Sequence, residues 1–396
     1  MTTALQPSLI SSPGEIAAAA DAARSSGAMA LDTEFLRERT YRARLCLVQL
    51  ATRDQIWLID AAVQDDLTAV TGLLSDPGVE VVVHAGKQDL QIFHDAYGVL
   101  PRNVFDVQIA AGFAGLGASL PYGRLVGEVL GVRLEKAESY TDWCTRPLTA
   151  GQLSYAADDV RYLLGAADAL KAQLNEMDRM AWVGEEMAAL QTDATYESDP
   201  GEAWRRVGGR GSLSGHQAAI LKEVARWREE AASRRDLPRG WIVKDVTLVE
   251  IARRAPSTPT QLKAIRGVNA REAERSGGAI LAAVERGKRA EPIATKKGPG
   301  RSVQHRVRAL TGIADALIKA RSDQAGVAPE FVATRDELES VLVDVMEGSS
   351  DGSGHALLGG WRRELAGRSI LALVQGRIAI AATDQPPYIQ EIDLQR

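Results

Sequence analysis

Short apolar runs and helical stripes alternate along the first half of the chain. "GAMALDTEF", "LCLVQLA", "QIWLID" and "VEVVVHA" are β-branched or apolar stretches of strand length. "KQDLQIFHDAYG", "VFDVQIAAGFAG" and a long stretch from about 149 to 175 carry helical spacing. Three strand candidates come in succession before the first helix, which predicts a mixed sheet flanked by helices. Beyond residue 200 the pattern becomes helical throughout. Ile220, Leu221, Val224 and Trp227 form the i, i+3, i+4, i+7 stripe of a core-facing helix. Shorter helices follow with Pro or Gly at their ends, and the region after residue 300 repeats this style loosely, as a diverged internal duplication would. Two stretches without periodicity, 191 to 215 and 286 to 302, read as linkers between three blocks.

Composition fits such a chain. At 396 residues, 45% hydrophobic and 25% charged, it is globular and too long for one ordinary core. No apolar run approaches the roughly 18 residues of a membrane span, and the start "MTTALQPSLISSPGE" lacks a signal-peptide pattern. A cytoplasmic protein is therefore expected. Cys46 and Cys144 lie far apart and outside any C-x-x-C pattern, so they read as packing residues rather than a disulfide or zinc site. The net charge of −5 conceals an asymmetry. Residues 1–200 hold 15 Lys and Arg against 28 Asp and Glu, whereas residues 201–300 hold 21 against 11. A basic module on an acidic chain suits polyanion binding, although a solvated helical face would give the same count.

The acidic residues carry the chemistry. Asp32 and Glu34 are two apart on a strand and so leave the same face. Like charges held together on a partly buried surface repel unless a cation sits between them, and oxygen ligands favour Mg²⁺ or Mn²⁺. Asp89 follows a strand and a tight "HAG" turn, near the start of a helix. Tyr155 and Asp159 are four apart on a helix and share a face, with Asp158 pointing elsewhere into solvent. Each has an ordinary reading alone: an exposed D-x-E, a helix-start acid, a core tyrosine. Their ordered combination is much rarer. His84 reads as a strand-end residue bonded locally and His94 as surface, because no further His or Cys ligands lie at zinc spacing.

"LDTEF", "HAGKQDL" and "YAADD" resemble the three motifs of the DEDD exonucleases, in the subclass with Tyr in the third. The longer strings "LDTEFLRERTYRARLCLVQLA" and "LEKAESYTDWCTRPLTAGQLSYAADDVRYLL" are similar to the ribonuclease D family within it, over roughly residues 28 to 175. "PSTPTQLKAIRGVNAREAERSGGAIL" resembles the HRDC module, a small helical nucleic-acid-binding domain, and the last block more weakly resembles a second, degenerate copy.

The resemblance implies an α/β ribonuclease H-like exonuclease domain over 1–200 (core about 28–175), an HRDC domain over 205–290 and an HRDC-like domain over 300–380. It implies two divalent cations, Mg²⁺ or Mn²⁺, held by Asp32, Glu34, Asp89 and Asp159, with Tyr155 orienting the attacking water. The activity implied is 3′–5′ removal of nucleotides from single-stranded RNA ends, in stable RNA maturation including that of tRNA. A DNA-directed exonuclease of the same fold is the alternative, and an inactive nucleic-acid-binding protein would be marked by loss of an acid, which is not the case. Arg39 and Arg42, with neighbouring Arg37 and Arg44, and Lys136 and Arg146 are candidates for phosphate contacts. Trp143 and Tyr140 are candidates for base stacking, Trp143 being equally readable as core. In the basic block, Lys244, Arg253, Arg254, Lys263 and Arg266 are further candidates, and Gly267 would let backbone N–H groups approach a phosphate.

Overall fold

A computed structural model describes residues 5–134, 142–197, 199–293, 300–348 and 354–394. The N-terminal region runs β1 (Pro7–Ile10), α1 (Pro13–Ser26), β2 (Ala28–Leu36), β3 (Arg44–Ala51), β4 (Ile56–Ile59), α2 (Thr68–Leu74), β5 (Glu80–Val83), α3 (Lys87–Tyr97), β6 (Val104–Asp106), α4 (Val107–Phe113), α5 (Tyr122–Leu130), α6 (Ala150–Arg161), α7 (Leu163–Glu176) and α8 (Met180–Ala189). Six strands form one sheet in the order β1-β4-β3-β2-β5-β6. β3 is antiparallel to β2 and β4, while β1–β4, β2–β5 and β5–β6 pair in parallel. The sheet is mixed, as the strand succession predicts, and β2 lies inside it. Met29, Ala30 and Leu31 are almost fully buried, and β2 gains partners on both edges, so the strand is held firmly up to the point where its acids begin. α1 packs on β2 and α2, α6 on β2, β3 and β4, and α7 on β2 and β5.

Several elements differ from the sequence reading. β1 and β6 are edge strands of four and three residues, too short to show alternation. "VFDVQIAAGFAG" is therefore a strand and then a helix, divided at Asp106, whose carboxylate caps α4 by accepting from Gln108 N at 2.9 Å. The stretch from 149 to 175 is two helices separated at Tyr162. Cys46 and Cys144 form a disulfide, with Cα atoms 5.0 Å apart, which corrects the packing reading. Folding brings β3 beside the segment before α6, and a separation of 98 residues gave no local sign of it.

Between residues 193 and 212 lie a one-turn helix, α9 (Asp193–Tyr196), and two 3₁₀ turns, Pro200–Arg206 and Arg210–Ser212. The central unit follows as α10 (Gly215–Arg235), α11 (Arg239–Ile242), α12 (Asp245–Arg254), α13 (Pro259–Lys263) and α14 (Ala270–Arg289). A capping box between Ser214 and Gln217 starts α10, and its stripe of Ile220, Leu221, Val224 and Trp227 is buried. Gly287 lets α14 approach α10, since a Cβ there would meet the Ile220 backbone. Ala203, Val207 and Leu213, from the stretch read as a linker, belong to this core.

The C-terminal region begins with the same order of long, one-turn and medium helices: α15 (Arg301–Ala325), α16 (Pro329–Val332) and α17 (Arg335–Met346). It is not helical throughout. After Arg368–Val374 come β7 (Ile378–Ala382) and β8 (Ile389–Asp393), an antiparallel pair. This region shares its core with the nuclease sheet and its helices, whereas the central unit has a core of its own. Phe331 stacks on Phe113 with centroids 5.2 Å apart, Trp361 meets Trp182 at 5.4 Å, and Arg362 forks onto Glu186 at 2.6 and 2.8 Å. Among the described residues no helix is long and apolar enough to cross a membrane.

Candidate active site

Strand alternation places Asp32 and Glu34 on one face of β2, with Thr33 between them on the other. The pairing of β2 with β3 is irregular between Glu34 and Phe35, and such bulges turn a strand away from its sheet and re-aim side chains. Asp89 is the third residue of α3 and only 7% exposed. Its approach is fixed by Asp106, which the sequence reading missed. The buried Asp106 carboxylate accepts from the backbone N–H groups of Ala85 (3.1 Å) and Gly86 (3.0 Å), in the turn that launches α3, while also capping α4. The only sequence sign was an acid at a strand-to-helix junction. Tyr155 and Asp159 share a face of α6, and the Tyr155 hydroxyl donates to Asp159. Behind them the Trp143 ring lies 5.8 Å from the Tyr155 ring.

The electrostatics single this cluster out. Burial first, then the charges of Asp89, Asp159 and Glu34, push the Asp32 carboxyl far above its usual range. Burial, then Asp159 and Asp89, push Glu34 up to about 8. Asp159 is pushed up to about 7 and Asp89 to about 6, in both cases chiefly by burial. Tyr155 is also pushed up, by burial and then by the same acids, so its hydroxyl stays protonated. No lysine or arginine among the described residues offsets any of the four acids. A partly buried set of carboxylates, Asp89 buried and the other three half-buried, with no cationic side chain among the described residues, is a donor set suited to a hard divalent cation. As placed, however, the described acids do not form a ready-made ion cage. Asp89 is taken by the Thr33 hydroxyl and Asp159 by Tyr155, so a cation would have to win these oxygens from hydroxyl donors.

Tyr122 and His84 stand behind the cluster and also escaped the sequence reading as a pair. Their rings are 5.4 Å apart, Tyr122 donates to Asp158 O at 3.0 Å, and burial and Asp159 push the Tyr122 hydroxyl up. His84 bonds through Nε2 to Leu120 O at 2.9 Å, a partner 36 residues away rather than a local one. His94 is not a surface residue. It stacks on Tyr196 at 5.6 Å, and its Nε2 is 3.5 Å from Asp193. Asp158 is partly solvated and ion-paired with Arg161 at 2.8 Å.

The proposed nucleic-acid contacts divide. Arg39 and Arg42 are exposed on the β2–β3 loop. Arg146 is corrected to a structural residue: it binds Asp60 through two nitrogens at 2.6 and 2.5 Å and donates to three backbone carbonyls, so its fork is fully engaged. Trp143 is core, 6% exposed, and closed to base stacking. Lys136 and Tyr140 fall outside the described residues. Lys244, Lys263 and Arg266 are exposed, whereas Arg253 and Arg254 are both engaged with Glu250. Gly267 adopts φ 93° where a Cβ would strike the Thr247 side chain, so close packing already requires glycine there. None of these central-unit candidates lines the 1010 Å³ or the 710 Å³ cleft beside the nuclease unit. The 1010 Å³ cleft between the nuclease and the central unit takes Arg206, Arg234 and Arg239 instead, and contains none of the four acids. A 710 Å³ groove does reach them, at Glu34.

A 3′–5′ exonuclease family model matches residues 8–175 and an HRDC domain model matches residues 217–284. Proteins named ribonuclease D are similar over nearly the whole chain. One from Granulibacter bethesdensis is 38% identical, covering 94% of each chain, and one from Acidiphilium cryptum is 36% identical, covering 98% of each. The crystal structure of Escherichia coli RNase D, described as an exoribonuclease involved in structured RNA processing, superposes with a TM-score of 0.82 at 30% identity, covering 94% of this chain and 99% of that one. The catalytic core of RRP6 from Trypanosoma brucei, at 22% identity and a TM-score of 0.55, shares the fold. The chain belongs to the ribonuclease D family of 3′–5′ exoribonucleases.

Proposed function

We propose that this exoribonuclease removes nucleotides from single-stranded RNA 3′ ends at the cluster around Asp32, using two divalent cations, Mg²⁺ or Mn²⁺, in the maturation of stable RNAs such as tRNA. The observation that carries the reading is the charge imbalance: within the four acids from β2, α3 and α6, neighbouring carboxylates of the set push Asp32, Glu34 and Asp159 up, and no lysine or arginine among the described residues offsets them. Asp32, Glu34, Asp89 and Asp159 would hold the cations. When bound, such ions stabilise charge on the phosphate oxygens and make water an effective nucleophile at neutral pH.

The chain's own groups do the rest. Tyr155 keeps its proton and so is suited to orienting water through its O–H rather than acting as a base. Thr33 holds Asp89 in place until a cation competes for it. Asp106 fixes the turn before α3, and Trp143 fixes the Tyr155 ring. The choice of RNA rather than DNA is supported by the relatives' name. The tRNA role is the finer part of the proposal; the Escherichia coli protein's stated role in structured RNA processing is compatible with it.

The test uses 5′-labelled single-stranded RNA and DNA of equal sequence, with Mg²⁺, Mn²⁺ or EDTA. A ladder that shortens the RNA from its 3′ end and disappears in EDTA is expected. Faster loss of DNA would overturn the RNA assignment, and a ladder that persists in EDTA would overturn the metal assignment.

A further inference from the structure

Around the β2–β3 connection, Arg37 and Arg39 on the loop and Arg44 at the start of β3 carry positive charge that none of the described residues uses. Arg37, Arg39 and Arg44 are exposed, and among the described residues their guanidinium groups have no ion-pair or hydrogen-bond partner. All three line the 710 Å³ groove that begins at Glu34 and passes Phe35, with Trp143 at its wall. The groove therefore opens at the catalytic cluster. Glu38 and Asp142 also line it, so beyond Glu34 three cations face two anions.

The other side of the same loop is fastened to the central unit. The Tyr41 hydroxyl donates to Glu229 at 2.9 Å, and the backbone N–H groups of Tyr41 and Arg42 both donate to Asp236 Oδ1 at 3.1 Å. Tyr41 packs against the central core. Asp236 is the left-handed cap of α10, φ 46°, so the acceptor sits on a rigid helix end. The loop is thus anchored from behind while, among the described residues, Arg37, Arg39 and Arg44 are left unpaired along the groove.

We infer that this groove binds the phosphates of the RNA strand next to the scissile one, through Arg37, Arg39 and Arg44, and that the central unit holds the groove in shape by clamping Tyr41 and Arg42. The inference rests on the exoribonuclease reading for the identity of the strand. Unpaired guanidinium groups suit phosphate oxygens geometrically, and contacts of this kind position a strand without reading its sequence. Phe35 and Leu36, half-buried along the groove, supply apolar surface for sugar and base. The central unit then contributes in two ways: as a basic surface of its own, and as the clamp behind this loop.

The test is binding of a fluorescein-labelled single-stranded RNA 12-mer to the full chain in EDTA, followed by anisotropy across a KCl series, so that no turnover is needed. The triple variant R37Q/R39Q/R44Q is expected to bind about 10²-fold more weakly at low salt. The slope of log affinity against log salt should fall by about 2, from roughly 0.7 per lost phosphate contact on a single strand. A control with the same change in charge on α15 and α17, R306Q/R308Q/R335Q, should lose far less. Asp236→Gly suits the left-handed backbone and removes no cation, so a threefold or greater loss of affinity is expected from release of the clamp alone.

A triple variant with wild-type affinity and slope overturns the groove, as does a control that loses as much. An Asp236→Gly protein that binds like wild type overturns the clamp. Because binding is read without metal, a groove that passes beside a failed 3′ ladder would remove the exoribonuclease reading and not the groove.

Discussion

Asp32→Asn is expected to lower kcat on single-stranded RNA by about 10³-fold or more, a loss of about 4 kcal/mol, while making the metal-free protein more stable at pH 8. Both effects have one cause. Asp32 is raised by all three other acids, so it stands at the electrostatic centre of the cluster. Removing its charge takes away a cation ligand and also removes repulsion. The sign follows from linkage. Glu34 at about 8 and Asp159 at about 7 lie above their usual carboxylate values, and Asp32 is raised as well. As pH rises, the unfolded chain loses these protons first. Stability fully present below about pH 4 is therefore lost as pH rises through the folded-state values, up to about pH 8. Thermal unfolding in EDTA at pH 5 and pH 8 measures this. The wild type should lose about 5 °C more than Asp32→Asn over that range. Equal losses in the two proteins would show that the acids do not repel one another as described.

Arg146→Ala is expected to destabilise the protein by about 3–5 kcal/mol and to leave the salt dependence of RNA binding unchanged. The guanidinium neutralises Asp60, which is 5% exposed, and bonds the carbonyls of Cys46, Trp143 and Thr145. Its loss strands a buried carboxylate and loosens the segment that carries Trp143 against Tyr155. Urea unfolding of Arg146→Ala and of the double variant R146A/D60N separates the two contributions. The double variant should recover part of the loss, because the stranded charge is gone. If Arg146→Ala instead unfolds like wild type and weakens RNA binding, the residue contacts phosphate and the structural assignment is wrong.

The proposed catalytic acids were legible because their spacing is short-range. Asp32 and Glu34 share a face through strand alternation, and Tyr155 and Asp159 through one helical turn, so the sequence alone pairs them. Convergence of the pairs with Asp89 was legible only through resemblance, since it depends on β2, α3 and α6 meeting. What failed was long-range or low in contrast. Asp106 acts on a turn 20 residues earlier, and Arg146 on an aspartate 86 residues away. Cys46 and Cys144 are joined by the same crossing of segments. Trp143 becomes buried and His94 half-buried through contacts with Tyr155 and Tyr196 that no periodicity encodes. β7 was missed because alanines alternate with its isoleucines, which leaves a weak strand signal. The basic count of residues 201–300 was compatible with a module that binds polyanions and equally with a solvated helical face. It did not show that this module grips the arginine loop of the nuclease through Tyr41.

Calorimetric titration of the metal-free protein with Mn²⁺ at pH 7, in two buffers of different ionisation enthalpy, addresses the cluster directly. Saturable binding accompanied by proton release is predicted, since carboxyls raised to about 7 and about 8 must lose protons to ligate, and both signals should vanish in Asp32→Asn. Binding of equal strength and proton release in the two proteins would place the cations elsewhere and contradict the assignment of the acids.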